Sequence, residues 1–164
     1  MASTSKTANL DLNQWSLNDK PEMADFNADN TKIDTVVSAH LAESVQSIGL
    51  FQRDSTLTGA QKITLGFKPK AIMFIASVPG QAGKASWGIA NATNSRAVLD
   101  NNNNTVNTYT NVSASAISIV NTGNNVTNGS ITIQSDGFTI NWTHLNTGAT
   151  GTIAVNYLAL THGK

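Results

Sequence analysis

Acid–base chemistry in this chain would have to draw on ten carboxylates and three histidines, and they are unevenly placed. Seven of the ten acids lie in residues 1–48; beyond them only Asp54, Asp100 and Asp136 remain, with no Glu. A glycosidase site needs two carboxylates to converge within about 5–10 Å. Asp136 stands in an Asp-Gly turn, and Asp54 and Asp100 stand beside turn residues, where Asp is ordinary. Nucleophilic catalysis has as little to work with: His144 and His162 are the only histidines after residue 48, and no Gly-x-Ser-x-Gly occurs. No His pair has ligand spacing, no Asp-x-Asp-x-Asp loop is present, and the lack of Cys removes disulfides, thiolates and Cys-based zinc sites. Pro79-Gly-Gln-Ala-Gly-Lys84 has two glycines and a lysine, but not at the spacing of a phosphate loop, and no helix pattern follows. It is predicted as a hairpin loop. The chain is expected to be no enzyme, with no catalytic residue, metal or cofactor.

Binding chemistry is the other possibility. Charged residues make up only 12% and cancel to zero, against roughly 25% in an average soluble domain. Lys68-Pro-Lys70 is the only basic cluster and has no interleaved aromatics, so neither nucleic acid nor an anionic membrane is an expected partner. Trp87, Tyr109 and Trp142 could stack on sugar rings, with Asn-rich loops donating hydrogen bonds. Trp87 and Trp142 lie in alternating segments, where burial in the core competes with that role. Tyr109, after the Asn101–Asn104 run, is the better placed of the three for a glycan.

The elements that would position such residues fall into two parts, 1–48 and 49–164. The first holds three Lys against seven acids; the second holds five Lys and two Arg against three Asp, so net charges of −4 and +4 cancel. The first 20 residues are polar apart from Leu10, Leu12, Trp15 and Leu17. They are predicted as an extended arm laying apolar side chains on a partner, since a lone Trp in a polar leader is costly unless covered. Residues 22–47 carry a helical stripe of Phe26, Ile33, Val36, Val37, Leu41 and Val45, running on to Ile48. Asp19 is the expected cap, Pro21 suits the first turn and Gly49 the stop. One helix cannot bury its own stripe. Either it packs on the second part or copies pack as a short coiled coil. His40, near that seam, is expected at the helix surface.

From residue 49 onward, alternating runs recur at 49–53, 61–65, 70–77, 85–90, 96–100, 106–110, 116–120, 130–134, 138–143 and 152–160. Between them stand Asn, Gly and Asp clusters that supply turn conformations. With 20 Asn, 20 Thr and 15 Ser, the chain has an uncharged polar surface suited to β structure. Ten short strands without interposed helices predict an all-β fold, an antiparallel sandwich or jelly-roll-like domain. The large apolar residues from Phe67 to Leu160, including Ile75, Trp87, Ile89, Val98 and Trp142, are its expected core. A core of this size is adequate rather than generous, and such cores are often completed by association. No apolar run approaches the roughly 20 residues that span a bilayer. The opening residues lack the basic and apolar regions of a secretory signal, so synthesis in the cytoplasm is expected.

Two phrases carry a family resemblance. Leu17-Asn-Asp-Lys-Pro-Glu-Met-Ala-Asp-Phe-Asn-Ala-Asp-Asn-Thr-Lys-Ile-Asp34, followed by His40-Leu-Ala-Glu43, resembles the start of tail-fibre and baseplate-associated proteins of tailed phages. Gly66-Phe-Lys-Pro-Lys-Ala-Ile-Met-Phe74 and Ala85-Ser-Trp-Gly-Ile89 look like a small β domain that recurs in phage virion proteins. The resemblance covers about 60 of the 164 residues. It implies a virion component, often trimeric, whose N-terminal part attaches to other phage structural proteins. The absence of a long shaft points to a collar, baseplate or decoration piece more than to a receptor-reaching fibre. Leu10, Leu12, Trp15, Leu17, Phe26, Ile33, Val37 and Leu41 are then the expected docking and self-association residues. A receptor- or carbohydrate-binding module, using a host surface glycan, is the alternative.

Overall fold

Each of the ten alternating runs forms a strand. A computed structural model describes residues 3, 5–43, 46–81, 83–102, 107–120, 125–147 and 151–161, with the backbone alone at 42–43, 101–102, 107–111 and 113. Two units divide at Ser44–Val45. The division falls slightly before the expected boundary because strand pairing already begins at Gln46, opposite Leu160.

In the second unit the strands are β3 (Gln46–Asp54), β4 (Gly59–Thr64), β5 (Ala71–Ser77), β6 (Lys84–Asn91) and β7 (Ser95–Asn102). They continue with β8 (Asn107–Ser113), β9 (Ile117–Val120), β10 (Val126–Gln134), β11 (Gly137–Leu145) and β12 (Thr152–Leu160). They form a four-stranded sheet, β4-β11-β10-β9, and a six-stranded sheet, β3-β12-β5-β6-β7-β8, antiparallel throughout. The fold is the expected all-β sandwich. The Asp136-Gly137 turn closes the β10–β11 hairpin as its sequence predicts, with Gly137 at φ 155. A run of turn residues at 121–124, part of the loop at 103–106, and Val45 and His162 lie outside the described residues.

The core sits between the sheets. Ile72 and Phe74 of β5, Ile117 and Ile119 of β9, Phe138, Ile140 and Trp142 of β11, and Ile153 and Val155 of β12 are buried together. Phe138 stands edge-on to Phe74 at 5.6 Å and to Tyr157 at 5.4 Å, tying the two sheets through aromatic contacts. Four expected core residues are instead exposed: Ile75, Trp87, Ile89 and Val98. The reason is steric. Strand β9 approaches β6 and β7 so closely that their inward positions hold Ser86, Gly88, Ala90 and Ala97 alongside Leu99, and Trp87, Ile89 and Val98 face out; Ile75 faces out because Ile72, Phe74 and Ala76 take the inward side of β5.

The first unit holds a two-stranded hairpin, β1 (Ser5–Lys6) with β2 (Asn13–Gln14), and helix α1 (Met23–Glu43). The expected extended arm is therefore a folded-back hairpin. Its turn is closed by Thr7 N–H donating to Leu12 C=O at 2.8 Å and Leu12 N–H donating to Thr7 Oγ1 at 2.9 Å. The hairpin is fastened to the helix. Asp29 accepts from Asn13 N–H at 3.0 Å and from Asn13 Nδ2 at 3.0 Å, and Lys32 pairs with Asp11 at 2.8 Å. Asp19 is not the cap: its carboxylate accepts from Ser16 N–H at 2.6 Å, closing a turn of its own. Asp25 takes the capping role, accepting from Glu22 N–H at 3.0 Å. The helix ends at Glu43 rather than at Gly49, which is a β3 residue facing the Tyr157 ring.

Candidate functional site

Two of the three carboxylates of the second unit are engaged by neighbouring side chains. Asp136 pairs with Lys62 at 2.7 Å, and that hydrogen-bonded ammonium holds its carboxyl below the usual carboxylate range. Asp54 is held low by Thr56, whose N–H donates to it at 2.9 Å and whose hydroxyl donates at 2.7 Å; it closes a turn. Asp100 stands on β7, two positions from Val98 on the same face. His144 is partly buried at the end of β11, opposite Thr127. Among the described residues no three His, Asp or Glu side chains gather where a metal ion could be held. The Pro79–Lys84 loop joins β5 to β6, as its hairpin reading predicts, with Val78 N–H donating to Lys84 C=O at 3.0 Å.

The aromatic candidates part company. Trp142 is 1% exposed, and its indole N–H donates to Gln61 Oε1 at 2.9 Å across β4 and β11. It is a core residue and cannot meet a ligand. Tyr109 pairs with Asp100 in the β7–β8 register, and its side chain lies outside the described residues. Trp87 is 45% exposed.

Trp87 belongs to the most distinctive surface of the second unit. Strand register sets its outward side chains in rows that cross five strands of the large sheet. The central row is Leu50–Asn156–Ile75–Trp87–Val98, and beside it runs Ile48–Leu158–Met73–Ile89–Arg96. The flanking row on the other side is Gln52–Ala154–Ser77–Ala85–Asp100. The first two rows are apolar apart from Asn156 and Arg96, and open: Ile48 is 80% exposed, and Leu50, Met73, Ile75, Ile89 and Val98 are each at least two-fifths exposed. A shallow groove of about 330 Å³ lies among them, lined by Ile48, Met73, Ile75, Trp87 and Leu158. Sugar recognition combines a ring face with convergent polar groups; the cross-strand neighbours of Trp87 are Ile75 and Val98, with Asn156 and Arg96 as the polar groups beside it. Sequence reasoning missed this face because it assigned large apolar residues to the core by size. The two-residue period would have flagged it, since β5 is apolar on both of its faces.

In the first unit, Leu10, Leu12 and Trp15 are half-buried, and Trp15 packs on Phe26 at 5.8 Å between ring centres. Leu17 is fully exposed. Phe26, Ile33, Val37 and Leu41 are all exposed along α1, Leu41 at 66%. His40 is at the helix surface, as expected. Among the described residues of this unit no apolar side chain is buried. No helix among the described residues is long and apolar enough to cross a membrane. Comparison with known proteins returns no match: no family model fits the chain, and no curated protein or solved structure resembles it significantly.

Proposed function

We propose that the chain is a non-catalytic structural part of a tailed-phage particle, assembling with copies of itself and with other virion proteins through residues 1–44. The observation that supports this most is the unburied stripe of α1. A unit of about forty residues in which no described apolar side chain is buried cannot hold together by a core of its own. Covering Phe26, Ile33, Val37 and Leu41 against other copies gives the stripe what its own unit lacks. Three copies is the number that the phage resemblance implies. The β-sandwich is then the outward-facing body, its charge-poor surface suited to a particle exterior.

Sedimentation of the full chain tests the assembly. The wild type is expected as an oligomer, and Val37→Lys with Leu41→Lys is expected to lower its mass while leaving the β signal in circular dichroism unchanged. An unchanged mass in that variant overturns the role of the helix. Antibody labelling of assembled phage particles tests the location, and unlabelled particles from cells that make the chain overturn it.

A further inference from the structure

We propose that the outer face of the six-stranded sheet is a second self-association surface, on which another copy of this chain packs face to face about a two-fold axis. The axis runs along the central row, Leu50 to Val98, midway between the two sheets. The proposal does not depend on the virion reading or on the helix.

The extent of the face is the first argument. The exposed parts of its large apolar side chains amount to roughly 700–800 Å², more than the 300–600 Å² of the largest patch on a typical monomer. A standard stable interface removes about 800 Å² from each partner. One copy therefore presents about one side of such an interface.

The chemistry of the rows selects the occupant. Rotation about the central row lays the Ile48–Arg96 row of one copy over the Gln52–Asp100 row of the other. Leu158 then faces Ala154, Met73 faces Ser77 and Ile89 faces Ala85, so in the flanking rows large side chains meet small ones, while each central-row residue meets its own counterpart across the axis. Arg96 and Asp100 are the only charged residues in the three rows, and the rotation sets each against the other's counterpart. They flank Val98 symmetrically on β7, with opposite signs. Neither has a hydrogen-bond or ion-pair partner among the described residues. A surface whose flanking rows complement one another in size and in charge suits an isologous contact. A nucleic acid or a charged peptide would find one cation and one anion on an otherwise uncharged face.

The absence of Cys permits a direct test in the full chain. Val98 lies on the axis, and facing sheets pack about 10 Å apart, beyond the reach of a disulfide, so Val98→Cys is expected to form a covalent dimer with a short bis-maleimide. Thr132→Cys, exposed on the opposite sheet, is the control expected to remain uncrosslinked. No cross-link at Val98, or equal cross-linking at both positions, overturns the proposal. Charge exchange supplies an independent reading by sedimentation equilibrium. Arg96→Asp alone is expected to weaken the pairing at least tenfold at low salt, and Arg96→Asp with Asp100→Arg to recover it to within about threefold. An Arg96→Asp chain that pairs like wild type overturns the proposal, as does a folded double variant that stays as weak as the single. The Val37→Lys, Leu41→Lys chain is expected to keep the Val98→Cys cross-link, which separates failure of this surface from failure of the helix.

Discussion

A Cβ on Gly88 would lie 1.7 Å from the carbonyl oxygen of Ala116. The two residues belong to different sheets: Gly88 sits in β6, and Ala116 immediately precedes β9. At that distance backbone faces backbone, and only the absence of a side chain allows the approach. Beside it, Ser118 N–H donates to Ser86 Oγ at 3.2 Å, so β9 is fixed to β6 by a hydrogen bond as well as by contact. The close passage of β9 therefore makes the inward side of β6 small and turns Trp87 and Ile89 outward.

Gly88→Ala is accordingly expected to destabilise the second unit by about 3 kcal/mol, the upper part of the usual range for overpacking, because the obstructing atom is backbone. Chemical denaturation followed by tryptophan fluorescence measures it. A loss under about 1 kcal/mol would mean that β9 is free to move away.

This contact also marks where the sequence stops being legible. Ten strands can be read from alternation and turn residues because period and punctuation are local properties. Which face of a strand meets the core is local only where one face is polar, as in Phe138-Thr-Ile-Asn-Trp142, whose apolar residues are all buried. Strand β5 is apolar on both faces, and β6 alternates large with small, so size points the wrong way. The outcome depends on β9, a strand about 30 residues further on. The N-terminal unit shows the same limit. The apolar stripe of α1 is visible as periodicity, whereas the fold-back of the hairpin depends on Asn13 meeting Asp29, a polar pairing with no period to read.

Trp142 and Gln61 form a partly buried polar link between β11 and β4. Trp142→Phe keeps the aromatic bulk but strands Gln61 Oε1, with an expected loss of about 2 kcal/mol, the scale of an unsatisfied acceptor. Adding Gln61→Leu removes the stranded group and is expected to recover part of that loss, since replacing both partners is far less costly than replacing one. Thermal unfolding of the two variants against wild type gives the comparison. Equal losses in single and double variants would show that volume, not the hydrogen bond, sets the cost.

Asp11, Asp54 and Asp136 each have a carboxyl held below its usual value, by Lys32, Thr56 and Lys62 respectively. A carboxylate whose value falls on folding contributes stability above its unfolded value of about 4, and loses it as the pH drops through the folded value. Stability is thus expected to be flat from pH 7 to about 5 and to decline below about 4. Because all three groups face solvent, the decline should be shallow and should flatten further in high salt. Carboxyl titration by NMR isolates one of them. In Lys62→Met, the Asp136 value is expected to rise toward the ordinary range while Asp54 keeps its own, since its partner is Thr56. An unmoved Asp136 would show that its turn, not the lysine, holds it.

The hairpin of the first unit hangs on one carboxylate. Asp29 receives both the backbone N–H and the side-chain amide of Asn13; the other ties are Lys32 on the carboxylate and carbonyl of Asp11, a long bond from Asn13 Nδ2 to the Asp25 carbonyl at 3.5 Å, and the Trp15–Phe26 contact. Exposed ion pairs contribute little, typically under 1 kcal/mol. Hydrogen bonds to a charged acceptor are stronger, and a partly buried pair like this one is worth about 1 kcal/mol after solvent competition. Asp29→Ala should therefore raise the open population of the hairpin about fivefold, which trypsin reads as faster cleavage at Lys6. The melting of the β-sandwich should not shift, because its core includes no residue of the first unit. Trp15→Ala offers the contrast. If its cleavage rate rises as much as that of Asp29→Ala, the aromatic contact and the carboxylate close one cooperative latch. If only Asp29→Ala responds, the polar link alone holds the hairpin down, and Trp15 is left to meet whatever covers the exposed stripe of α1.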